Sequence, residues 1–156
     1  MRTEKEVINL ILNVAKDDER IRAVLLVGSR ANPEVPKDIY QDYDITYFVE
    51  DITPFYNNPT WVEERFGKPL IMQMPEAMRY PIGDGSFNYM MIFPDGVRID
   101  LTFEFKKYID DGEPAVILLD KDNGRGFLPP KLVPNDKYWH IKPPSSLFFY
   151  SCCNNF

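Results

Sequence analysis

Apolar and polar positions change period several times along the chain, and each change marks an element. Val7, Leu10, Ile11 and Val14 recur at helical spacing behind Thr3, with Glu6 three residues beyond it. That is a capping box opening an amphipathic helix over 4–17. The run IRAVLLV at Ile21–Val27 suits a strand covered on both faces, and Gly28 ends it. Pro33 and Pro36 exclude a long regular helix between Ala31 and Gln41. Tyr43–Val49 alternates, which predicts a second strand with Tyr43, Ile45, Tyr47 and Val49 facing a core. A short helical piece at Thr60–Phe66, ended by Gly67, precedes a weaker third strand around Leu70–Met74.

Phe87–Phe93 and Val97–Phe105 flank Pro94-Asp95-Gly96, a strong turn signal, so these two arms form a hairpin. On its second arm Val97, Ile99, Leu101, Phe103 and Phe105 share one side; Arg98, Asp100, Thr102 and Glu104 share the other. Lys106–Leu119 reads as one or two short helices broken by Gly112 and Pro114. From Phe127 the texture becomes Pro-rich, with prolines at 129, 130, 134, 143 and 144, and predicts an extended arm. Ser145 then opens a further apolar helical segment carrying Leu147, Phe148, Phe149, Cys152, Cys153 and Phe156. The fold class is α/β (α+β): a mixed β-sheet flanked by helices.

The chain has 156 residues, 44% hydrophobic and 14% aromatic, enough for one domain with a real core. Its net charge of -6 argues against a general nucleic-acid binder and suits a cationic small molecule or a metal–nucleotide complex. No apolar run is long enough to span a membrane. The start Met1–Lys5 has no apolar stretch behind it, so no secretory leader is expected, and the expected location is cytoplasmic. Adjacent Cys152 and Cys153 cannot staple distant segments, which agrees with a reducing compartment.

Three features converge on chemistry. Gly28-Ser29-Arg30 comes directly after a buried strand, and such a turn offers amides and the Ser29 hydroxyl to an anion. Asp42 and Asp44 stand two residues apart at the start of the second strand, both on its polar face. Asp100 stands mid-strand on the polar face of the hairpin's second arm, where Asp is depleted on propensity and needs a reason. Each feature alone is bland: a turn carboxylate, a solvent-facing strand residue, an ordinary strand-to-loop turn. Together they can bridge divalent ions, and an all-oxygen donor set selects Mg²⁺ or Mn²⁺ before zinc. Such close carboxylates repel, so the cluster should be partly protonated or ordered by a cation.

Gly28-Ser29, twelve residues, Asp42-Tyr43-Asp44 and then Asp100 on a later strand resemble the nucleotidyltransferase superfamily. More closely, LLVGSRANPEVPKDIYQDYDITYFV, PLIMQMPEAM, VRIDLTF and ILLDKDN are similar to the aminoglycoside 6-adenylyltransferases, which act on streptomycin. YWHIKPPSSLFFYSCCNNF resembles the segment that leads from that family's catalytic domain into its helical second domain. The resemblance implies a catalytic domain over 1–126, an arm over 127–144, and the start of a truncated helical domain over 145–156. It also implies attack of a drug hydroxyl on the α-phosphorus of ATP, with ATP and an aminoglycoside such as streptomycin as partners. Asp42 and Asp44 then match the metal-binding pair, and Asp100 the third carboxylate, either ligand or base. Gly28 and Ser29 match the phosphate-holding turn. Arg30 meets a phosphate or forms a salt bridge to Asp42 or Asp38.

Other residues carry less. His140 is the only histidine and reads as a packing or surface residue; the cysteines read as small hydrophobes. Tyr80, Phe87 and Tyr89 could stack on a base but fit a core better, and Glu104 is a weaker ligand than Asp100. Asp84-Gly85, Asp95, Asp110 and Asp111 read as turn or helix-end positions. The competing readings are a nucleotide- and metal-binding module without turnover, a nucleotidyltransferase with another acceptor, and an interaction protein. The apolar C-terminal segment invites a homodimer.

Overall fold

The first helix forms because its ends and its face agree. In the computed structural model, which describes residues 1–74, 86–109, 112–132 and 145–146, α1 spans Glu4–Asp17. Thr3 Oγ accepts from the Glu6 amide while the Thr3 amide donates to the Glu6 carboxylate at 2.7 Å, the expected reciprocal cap. Val7, Ile11, Val14 and Ala15 form its buried stripe.

That stripe packs on a six-stranded sheet whose order is β3-β4-β5-β2-β1-β6. The strands are β1 Ile21–Val27, β2 Tyr43–Val49, β3 Ile71–Gln73, β4 Ser86–Ile92, β5 Arg98–Glu104 and β6 Ala115–Asp120. Neighbours run antiparallel except β2 and β5, which are parallel. β1 and β2 lie side by side, and the expected hairpin is present as β4–β5. Gly96 takes φ +82° in the hairpin turn, and its amide donates to the Phe93 carbonyl.

Two short helices, α2 Thr53–Tyr56 and α3 Thr60–Phe66, lie with α1 against one sheet face. Phe103 is the hub of that core. Its ring lies 4.4 Å from Phe55, 5.6 Å from Trp61, 5.8 Å from Tyr47 and 6.1 Å from Tyr89. Two buried phenols anchor the helices to the sheet: Tyr47 Oη donates to the Ile11 carbonyl and Tyr89 Oη to the Phe55 carbonyl, both at 2.6 Å. Phe87 and Tyr89 are therefore core, 1% and 0% exposed, rather than base-stacking platforms. On the opposite face Ala23, Leu25 and Phe48 are covered by Leu128, and the Phe127 ring stacks on Phe48 at 5.8 Å.

The structure corrects two expectations. Among the described residues of 106–119 there is no helix; Ala115–Asp120 is β6, antiparallel to β1. Helix and strand compete for a short apolar run such as AVILL. Here the second edge of β1 supplies backbone partners, and β-branched Val116 and Ile117 favour the strand. Phe105 is not part of the core side of β5: the strand ends at Glu104 and Phe105 is 41% exposed. Nor does the periodicity reveal α2, although Asp51 accepting from the Thr53 amide and Pro54 in the first turn are start signals.

Tyr80, Asp84-Gly85, Asp110, Asp111, His140, both cysteines and the apolar segment after Ser146 lie outside the described residues, as does most of the arm. Among the described residues no helix is long and apolar enough to cross a membrane.

Replacing Phe103 by Ala should cost about 3–5 kcal/mol, because four packed rings lose their common neighbour. Tyr47→Phe should cost only about 1 kcal/mol, the net value of its hydrogen bond. Urea denaturation of both variants checks the difference; equal losses would contradict Phe103 as the hub.

Candidate functional site

The parallel pairing of β2 with β5 sets Asp44 directly opposite Asp100, with Thr46 opposite Thr102. Period two then leaves Asp44, Thr46, Asp100 and Thr102 on the face away from the helices, while Ile45, Tyr47, Leu101 and Phe103 fill the core. Asp42, just before β2, joins them. One carboxylate oxygen from each of Asp42, Asp44 and Asp100 lies within 4.8 Å of the other two, and all three side chains are half-buried. The structure thus brings together all three carboxylates singled out in the sequence.

Gly28 makes the close approach possible. It begins a 3₁₀ turn over Gly28–Ala31, takes φ +73°, and a Cβ there would stand 2.8 Å from Asp44 Oδ2. Its amide donates to the Pro114 carbonyl at 3.0 Å, so the capacity of this turn to hold an anion rests on Ser29 and its neighbouring amides. Arg30 does not form the salt bridge to Asp42 or Asp38 that was one of its two expected roles. Its guanidinium donates to the backbone carbonyls of Asp42 at 2.8 Å and Gln41 at 2.7 Å, and lies 3.9 Å over the Tyr43 ring. Arg30 therefore fixes the backbone on which Asp42 enters β2.

Asp44 has its carboxyl pKa pushed up to about 6, chiefly by burial and then by the charges of Asp42, Asp100 and Glu113. The expectation of a self-repelling cluster holds at this residue. Arg98 is the group that sequence reasoning left without a role. It forks onto Asp100, with Nε at 3.1 Å and one Nη at 2.5 Å, and reaches Asp42 at 3.5 Å. The hydrogen bonds to Asp100 raise the guanidinium pKa. Its position two residues before Asp100, on the same polar face, was the available signal. Glu113 had no such signal: β6 pairing carries it to the cavity of about 360 Å³ that Asp44 and Asp100 line.

A second cavity, of about 300 Å³, opens beside Asp42; its charged lining is Arg2, Arg30, Lys37 and Arg98 with Glu4 and Asp38. Two of the lesser candidates have structural work. Glu104 accepts from the amides of Phe105 and Lys106 at the end of β5. Asp95 binds Arg2 at 2.8 Å, which holds its carboxyl well below the usual range and ties the N-terminus to the hairpin turn.

Close carboxylates with oxygen donors, a burial-strained Asp44 and an adjoining glycine turn fit a hard divalent cation. Comparison with known proteins points the same way. Aminoglycoside 6-adenylyltransferases from Campylobacter jejuni and Bacillus subtilis are each 44% identical to this chain over its whole length. That from Staphylococcus aureus is 38% identical. The chain covers 54%, 56% and 56% of those proteins, so it spans about half the length of the curated relatives it matches. A crystal structure of an aminoglycoside 6-adenyltransferase from Bacillus subtilis superposes with a TM-score of 0.62 at 36% identity, covering all of this chain and 53% of that one. The family model described as streptomycin adenylyltransferase matches residues 1–156, and the chain belongs to that family.

Proposed function

We propose that this chain carries the catalytic apparatus for transfer of an adenylyl group from ATP to a hydroxyl of an aminoglycoside such as streptomycin. The observation that carries the reading is the meeting of Asp42, Asp44 and Asp100 beside the Gly28–Ser29 turn. These carboxylates would hold Mg²⁺ or Mn²⁺. A bound divalent ion supplies neutralisation of the triphosphate and activation of the attacking hydroxyl. Ser29 in the turn would hold the phosphates, Arg30 keeps the Asp42 backbone in place, and Asp100 would serve the acceptor side as ligand or as base. Glu113, with Asp44 and Asp100, makes the 360 Å³ cavity acidic, which suits a polycationic acceptor. The names of the relatives support the choice of acceptor class.

Calorimetric titration with ATP tests the reading. Wild type should bind ATP in the presence of Mg²⁺ and far more weakly without it, and Asp42→Asn or Asp44→Asn should weaken Mg²⁺-dependent binding about tenfold or more. Asp100→Asn should spare ATP binding more than pyrophosphate release with streptomycin. Equal affinities with and without Mg²⁺ in wild type would overturn the metal–nucleotide role.

The raised pKa of Asp44 fixes the sign of a pH effect. The folded state holds this proton to about pH 6, whereas the carboxyl's ordinary value is 3.8. Between those values the folded protein binds more protons than the unfolded one, so stability falls as pH rises and levels off above pH 6. Asp44→Asn should therefore be more stable than wild type at pH 7, by about 1–2 kcal/mol after solvent screening. The advantage should shrink as pH falls from about 6 towards 3.8 and be lost well below 3.8, where the carboxyl is protonated in the folded and unfolded states alike. Thermal melts from pH 4 to 8 in chelator check it, and a variant less stable at pH 7 would contradict it.

A further inference from the structure

Arg98 stands between the carboxylate cluster and a cavity in which cations predominate. On one side its guanidinium forks onto both oxygens of Asp100 and reaches Oδ2 of Asp42. On the other it lines the cavity that also carries Arg2, Arg30 and Lys37. Those three cations are already engaged there: Arg2 with Asp95, Lys37 with Glu4 and Arg30 with main-chain carbonyls. Arg98 differs from them because its partners are the carboxylates of the cluster. A divalent ion on Asp100 would place like charge beside the guanidinium that forks onto the same two oxygens, so each weakens the other's hold. With its side chain 42% exposed, Arg98 has solvent-facing room to leave them.

We propose that Arg98 competes with a divalent cation for Asp100 and Asp42, and that the guanidinium so released binds a phosphate of the nucleotide. The proposal rests on the metal–nucleotide reading above and assigns Arg98 a ligand exchange that couples the two occupants. Until the cation binds, Arg98 offsets part of the charge that three adjacent carboxylates concentrate on this face. Afterwards its fork is the one guanidinium on the cavity wall without a carboxylate or carbonyl of its own, and a phosphate oxygen pair matches its geometry. Metal and nucleotide are then linked through one side chain: each helps the other take hold by occupying one of its two sets of partners.

The test is a pair of titrations on wild type, Arg98→Gln and Arg98→Lys. Binding of Mn²⁺ alone, followed by its paramagnetic resonance signal, should tighten about tenfold in Arg98→Gln, which removes the competing charge. Binding of ATP at saturating Mn²⁺ should weaken by about the same factor. Arg98→Lys, a charge without the fork, should fall between wild type and Arg98→Gln in both titrations. Circular dichroism melts with and without Mn²⁺ confirm that each variant is folded over the titration range. The opposite signs are the signature, because a merely structural ion pair would move both affinities the same way or neither. Unchanged or weaker Mn²⁺ binding in Arg98→Gln, or unchanged ATP binding, overturns the exchange while leaving the metal reading standing. Absence of Mn²⁺ binding in wild type and both variants overturns the metal reading and the exchange with it.

Discussion

The parallel pairing of β2 with β5 is the constraint on which the site depends. It places Asp44 opposite Asp100 with no freedom to slip, because a shift of one residue would turn Ile45, Tyr47, Leu101 and Phe103 out of the core. The aromatic packing around Phe103 thus holds two like charges together on the other face. At separations near those of the cluster, an effective dielectric of about 20 gives a repulsion on the order of 3 kcal/mol per pair. Burial of apolar groups on the helix side outweighs that cost; a single buried aromatic or aliphatic side chain contributes about 1.5–3 kcal/mol.

Around this fixed pair the remaining parts are accommodations to it. Gly28 leaves space where any side chain would meet Asp44, and accepts the positive φ that the turn requires. Arg30 grips the backbone of residues 41 and 42, so Asp42 enters from a rigid segment although it precedes the strand. Arg98 supplies a nearby positive charge to Asp100 and Asp42, whereas Asp44 retains a raised pKa because burial and three other carboxylates act on it together. The result is a surface with mixed charge, in which cations predominate, on one side of the carboxylates and acidic groups on the other.

The parts of the fold legible from residue order are those where local pattern and tertiary context agree. Thr3 and Glu6 cap α1 as read, Gly67 ends α3, and the Pro94–Gly96 turn joins two strands of the expected alternation. The exception, β6, shows the limit of such reading. AVILL carries no period that separates strand from helix; β-branched Val116 and Ile117 lean towards a strand, and the open edge of β1 settles it. Glu113 is invisible for the same reason, since its place at the acidic cavity depends on that pairing. Arg98 was visible on the polar face but not its role, because face assignment says which side a residue is on and not whom it meets.

The sequence by itself determined the chemistry on offer: a glycine turn after a buried strand, two aspartates at period two, and a third on another strand. Alternation along a strand is a local property, so it could assign those carboxylates to polar faces without reference to the rest of the chain. The tertiary structure alone decided that the faces coincide. Parallel pairing brings residues 44 and 100 into register across a long stretch of chain, and no local propensity encodes which strands will lie side by side. It also decided the electrostatics. A pKa near 6 at Asp44 and a shared guanidinium at Asp42 and Asp100 depend on distances and burial, which exist only once the sheet has closed over its core.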